Sequence, residues 1–98
     1  MSFEIILDER AKQDLDKAFN YYNQKQDGLE EKFAADVESA FKTLEKNPFF
    51  RVRYKEFRCL PLEVFPYMVH YIIDENNSEI TIYGIVNTYL NPETNWFK

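Results

Sequence analysis

The chain has 98 residues and a mass of 11.8 kDa, which predicts a single domain over residues 1–98 with one modest core. Hydrophobic residues make up 45% and charged residues 30%, with only two glycines and four prolines, so collagen-like, low-complexity and disordered classes are excluded. The net charge of −5 and pI near 4.8 argue against a generic nucleic-acid binder, which is usually basic.

Residues 3–7, FEIIL, are apolar and β-favouring and predict a first strand. Asp8 stands where an N-cap would, with Glu9 in the positive first turn. Ala11, Leu15, Ala18, Phe19 and Tyr22 then recur at helical spacing, while Arg10, Lys12, Asp14, Asp16 and Lys17 fill the other face. This predicts an amphipathic helix over about residues 9–24. Asn23 to Gly28 breaks the pattern, and Asp27 with Glu30 reads as a capping box. Leu29, Phe33, Val37, Ala40, Phe41 and Leu44 mark a second helix, which Asn47-Pro48 stops. So short a connection predicts an antiparallel helical hairpin.

Residues 50–63, 66–74 and 79–87 are rich in β-branched and aromatic types. Asp74 to Ser78 is a turn cluster, so the last two runs predict a β-hairpin. The order strand, helix, helix, then three strands predicts an α+β domain with the helices on one side of a small antiparallel sheet. Seven Tyr and nine Phe imply a core built largely from rings. Phe19, Phe33, Phe41, Phe57 and Tyr71 are its candidates.

The opening MSFEIILDER lacks a basic stretch and a long apolar run, which predicts no signal peptide. The longest mostly apolar stretch, Val64 to Ile73, falls well short of the roughly 20 residues of a membrane helix. Cys59 is the only cysteine and has no partner for an internal disulfide, as expected of a reducing, cytoplasmic setting. Charge is uneven. Residues 47–60 carry Arg51, Arg53, Lys55 and Arg58 against Glu56, whereas the segments before and after are both net negative. On a regular strand Arg51, Arg53 and Lys55 would share one face and Arg58 the other.

Four patterns occur in one order: Ala11 with Asp14-Leu15 and Tyr21-Tyr22; Leu44 with Asn47-Pro48; Arg58 through Leu62 leading to Phe65-Pro66-Tyr67 and Tyr71; and Asn91-Pro92 followed by Trp96. Together they resemble the RelE/ParE toxin superfamily of type II toxin–antitoxin systems, closer to its ParE, or plasmid stabilisation, branch. The resemblance spans nearly the whole chain and implies a helical hairpin on a small antiparallel sheet. It also implies a toxin held inactive by a cognate antitoxin, as a homodimer or a toxin–antitoxin hetero-oligomer. Two mechanisms occur under this fold, so fold does not settle function. The ParE type poisons DNA gyrase, and the RelE type cleaves messenger RNA on the ribosome.

RNA cleavage needs a base for the 2′ hydroxyl, cations for the phosphate charge and an acid for the leaving oxygen. The RelE resemblance implies Lys55 and Arg58 as strand cations and Tyr89 as a terminal acid or base. Against it, Asn87, Thr88 and Leu90 stand where family toxins usually carry basic residues, and Met68 and Ile72 stand where many ParE-like chains carry arginine. The acidic net charge also opposes approach to the ribosome. Gyrase-directed toxicity is therefore the leading expectation, ribosome-dependent RNA cleavage the alternative, and a non-toxic interaction module the third.

Other chemistry has little support. His70 is the only histidine and Cys59 the only cysteine, so no metal site is expected and both read as structural. Arg58 could pair with Glu56 or Glu63. Asp14, Asp16, Glu30, Glu31, Asp36 and Glu38 read as solvent-exposed helix faces. Two glycines cannot supply a phosphate or dinucleotide loop, and no cofactor is expected. Phe49, Phe50, Trp96 and Phe97 lie at element ends and, with Arg51 and Arg53, are the candidates for binding a partner. The antitoxin segment is expected to bring basic or apolar anchors to so acidic a surface.

Overall fold

A computed structural model describes residues 2–89. Its elements run β1 (Glu4–Leu7), α1 (Glu9–Lys25), α2 (Leu29–Lys46), β2 (Val52–Tyr54), β3 (Phe57–Pro61), β4 (Tyr67–Asp74) and β5 (Glu79–Asn87). The α+β class and the helical pair stand as expected. Asp8 caps α1, its carboxylate accepting from the Arg10 amide at 3.0 Å. Ala11, Leu15, Ala18 and Tyr22 are the buried stripe of that helix. The capping box at Asp27 does not form. Gly28 is the N-cap of α2, in the left-handed region at φ 83°, and no side chain caps the helix. Glycine takes that backbone without steric cost, and it leaves Asp27 one residue too early to cap.

The five strands form one sheet in the order β1-β5-β4-β3-β2. It is mixed rather than wholly antiparallel, because β1 runs parallel to β5. The strand-like run 50–63 is two strands, not one. Lys55, at φ 52°, turns the chain between β2 and β3, so Arg51, Arg53 and Lys55 do not lie along one continuous strand.

Beneath one sheet face, Tyr22, Phe33, Phe65 and Tyr67 meet with ring centroids 4.9 to 6.3 Å apart. Ile80, Ile82, Ile85, Val69 and Tyr71 complete this core, and Phe19 and Phe41 pack against it. Phe57, expected in the core, instead meets Tyr83 edge-on at 5.5 Å. Alternation in β3 explains it: Arg58 pairs with Tyr71, which is in the core, so Phe57, one residue earlier, takes the other face. On β5 a bulge places Tyr83 as an extra residue between the pairs His70–Gly84 and Tyr71–Ile82.

Candidate functional site

The structure offers two surfaces, one at α1 and the end of β5 and one at the link into β2. The first is a groove of about 770 Å³ between α1 and the end of β5. Tyr21, Tyr22, Tyr67, Ile85 and Val86 give it apolar walls, and Asp14 and Lys17 give it polar ones. Such a mix suits apolar anchors fixed by a few polar contacts.

Two carboxylates hold the groove's walls. Asp36, expected on an exposed helix face, is buried. It accepts from the amides of Glu63, Val64 and Phe65 at 3.2, 2.9 and 2.8 Å. It thereby ties α2 to the loop that delivers Pro66 and Tyr67. Asp14 accepts from the Ile85 amide at 2.9 Å, next to the β5 bulge. Burial raises the Asp14 pKa, and the Ile85 bond, Lys17 and Arg10 pull the other way. Both residues sit at helical positions that sequence reads as polar, and their partners lie far away along the chain.

The second surface is a rim made by the link from α2 into β2. Here Phe49 is 50% exposed, Phe50 37% and Val52 44%, interleaved with exposed Arg51 and Arg53. Two donors fix this link from below. The Tyr71 hydroxyl donates to the Pro48 carbonyl at 2.6 Å, and burial pushes its pKa up to about 12, which keeps it a donor at neutral pH. Arg58 donates to the Phe50 carbonyl at 2.7 Å and lies 5.6 Å from the Phe49 ring centroid. Its partner is thus a backbone oxygen rather than Glu56 or Glu63.

The rim contains Phe49, Phe50, Arg51 and Arg53 of the expected partner-binding set. Trp96 and Phe97 lie outside the described residues. Lys55, Arg58 and Tyr89 are not brought together. Arg58 stands opposite Tyr71, whereas Tyr89 follows Asn87, which stands opposite Tyr67. Four residues of β4 separate those levels, about 13 Å along the strand. Lys55 lies in the turn beyond Arg58, and Tyr89 lines the α1 groove, 82% exposed.

Cys59 and His70 are a pairing that sequence reading missed. They face each other across β3 and β4, with Sγ 3.6 Å from Nδ1. The prolines gave no clue to it, since Cys59 lies two residues before Pro61 and His70 four after Pro66, and the register pairs Pro61 with Met68. Burial pushes the thiol up to about 11, against a smaller downward pull from Arg53, and pushes the imidazole down to about 4. Both are neutral at pH 7, so the contact is not the thiolate–imidazolium pair of a cysteine nucleophile. Among the described residues no group of three or more His, Cys, Asp or Glu could hold a metal ion. None of their helices is long and apolar enough to cross a membrane.

The sequence profile of the ParE toxin of type II toxin–antitoxin system, parDE, matches residues 5–88. The chain belongs to the ParE toxin family. No curated protein matches it significantly. Among solved structures, the fold is similar to the chromosomal ParDE toxin–antitoxin system of P. aeruginosa, with TM-score 0.70, 23% identity, and coverage of 88% of this chain and 96% of that one. It is also similar to the RelBE2 toxin–antitoxin complex of Mycobacterium tuberculosis, with TM-score 0.59, 18% identity and coverage of 89% and 99%. The intact RelBE toxin–antitoxin complex of E. coli gives TM-score 0.58, 11% identity and coverage of 86% and 94%. At such identities these likenesses concern the fold. Within the ParE family, the groove and the rim are this chain's candidate surfaces for protein partners.

Proposed function

We propose that this ParE-family toxin acts in the cytoplasm by binding DNA gyrase, and that a cognate antitoxin neutralises it. The separation of Lys55, Arg58 and Tyr89 carries this choice. A ribonuclease needs its base, cation and acid around one phosphate, whereas Lys55 and Arg58 flank the β2–β3 turn and Tyr89 lies at the α1 groove, beyond the opposite end of β4. Binding toxicity needs only surfaces, and the chain has two. The groove suits apolar anchors of an antitoxin segment, consistent with the toxin–antitoxin complexes among its structural neighbours.

Tightly controlled expression in bacteria tests this reading. Growth, transcript integrity and the DNA damage response are followed together. Arrest with damage signalling, intact transcripts and loss of supercoiling by purified gyrase is the expected outcome. Arrest with cleaved transcripts would move the function to RNA cleavage. Unimpeded growth with folded protein would leave a non-toxic interaction module.

A further inference from the structure

Asp27 and Gly28 join the two helices, and both are exposed. Among the described residues, the Asp27 carboxylate accepts no hydrogen bond and forms no ion pair, and the Gly28 amide donates to no acceptor. A Cβ built on Gly28 would meet nothing within 4 Å, so no neighbouring side chain shields the position. We propose that Asp27-Gly28 is a site of self-modification, at which the Gly28 amide nitrogen attacks the Asp27 side-chain carboxyl and Asp27 becomes isoaspartate. The inference does not depend on what the chain binds.

The step needs only solvent water. The Gly28 nitrogen bonds to Asp27 Cγ and gives up its proton, while a carboxyl oxygen leaves Cγ as water, closing a five-membered imide ring. Water then adds to one of the two ring carbonyls. Opening at Cγ restores aspartate, and opening at the main-chain carbonyl routes the backbone through the side chain. Glycine suits the attack because it has no Cβ to obstruct the approach to Cγ, and the other glycine, Gly84, follows Tyr83. One main-chain bond spans the pair, from the Leu29 amide to the Gln26 carbonyl at 3.2 Å, and exposed segments so lightly held open most readily. The rival aspartates are held. The carboxylates of Asp8, Asp14, Asp36 and Asp74 accept from backbone amides, and Asp16 lies inside α1, where the amide after it is committed to the helix. An exposed charge in a turn is ordinary by itself. The glycine that follows and the lack of a hydrogen bond on either reactive group distinguish this one. The altered bond lies just before the N-cap of α2, whose carbonyl accepts from the Lys32 amide at 3.3 Å. It lengthens the backbone there by a methylene, so the first turn of α2 loosens while β4 and β5 keep their register.

The test ages the full chain in neutral buffer for several weeks, beside a sample kept unfolded in urea. Two readouts are taken. One is methyl transfer by an isoaspartyl methyltransferase with a labelled methyl donor. The other is chromatography of the tryptic peptide from Gln26 to Lys32, whose two isomers share one mass. The folded chain should gain isoaspartate at Asp27 about tenfold or more faster than at any other aspartate. Asp27→Glu would have to close a larger ring and should abolish methyl acceptance by this peptide. Gly28→Asn keeps a residue that tolerates the left-handed region and should slow the reaction about fivefold. Circular dichroism confirms the fold of each variant. In the isomerised fraction, amides from Leu29 to Lys32 should exchange faster while those of β4 and β5 stay protected. Isoaspartate in the unfolded sample alone would overturn the proposal, because the fold would then protect the pair. A faster site elsewhere in the folded chain, or methyl acceptance undiminished in Asp27→Glu, would overturn it as well.

Discussion

The groove and the rim are braced by opposite chemistry. Around the groove the backbone has spare donors, and acids take them: buried Asp36 serves three amides and half-buried Asp14 one. Under the rim the backbone has spare acceptors, and Tyr71 and Arg58 serve the Pro48 and Phe50 carbonyls. Backbone groups outside helix and sheet must still be satisfied when buried. The sign of the unmet group decides which side chain is recruited. That use of Arg58 leaves Arg51 and Lys55 as the rim's outward charges. The use of Asp14 and Asp36 removes two acids from the roles that their helix positions suggest.

The sharpest break of the groove side is Asp36→Ala. It leaves three amides without their acceptor, each costing about 1–3 kcal/mol when buried. Because two of the three are only partly buried, the expected loss is about 4 kcal/mol by urea unfolding. Asp36→Asn keeps one good acceptor oxygen and should recover roughly half of it. An equal loss in both variants would mean that charge, not amide satisfaction, holds the loop. Antitoxin binding in the groove should weaken in step, because the same loop delivers Pro66 and Tyr67.

These braces also mark where sequence reading stops. The two helices were legible because Ala11, Leu15, Ala18 and Tyr22, and later Phe33, Val37, Ala40 and Leu44, repeat at helical spacing. The β4–β5 hairpin was legible because Asp74 to Ser78 is a run of turn-forming residues. The β2–β3 turn was not, since Tyr54-Lys55-Glu56-Phe57 contains no Gly, Pro or Asn to signal it. Asp14 and Asp36 were illegible for a different reason. Periodicity reports which face a residue takes, not which distant amide that face will meet. Of the candidate site, the cationic segment and Phe49 and Phe50 could be read from composition. The groove could not, because α1 and β5 come together only in the tertiary fold.

His70 lies in β4, the central strand between the two surfaces, and tests whether they share one folding unit. Its pKa falls from about 6.5 unfolded to about 4 in the fold. Between those values the unfolded chain binds more protons than the native one, so stability is lost as pH falls through that window. The full effect is about 3 kcal/mol, with a slope near 1.4 kcal/mol per pH unit at most. Urea unfolding at stepped pH should show that slope in the parent and its absence in His70→Gln, after the shared carboxylate contribution is subtracted. Both surfaces should lose order together in acid. If the groove opened while the rim stayed protected from hydrogen exchange, the two would be separate units.

The smallest expected effect breaks the rim side. Tyr71→Phe keeps the buried ring and removes only its hydroxyl, leaving the Pro48 carbonyl with the Phe50 amide, at 2.8 Å, as its donor. One lost hydrogen bond of this kind costs about 1 kcal/mol. Arg58 still holds the Phe50 carbonyl, so the link should loosen locally rather than detach. Amides from Phe49 to Val52 should then exchange faster, while those of α1 and β5 keep their protection. A stability loss as large as that of Asp36→Ala would mean that the link is part of the core.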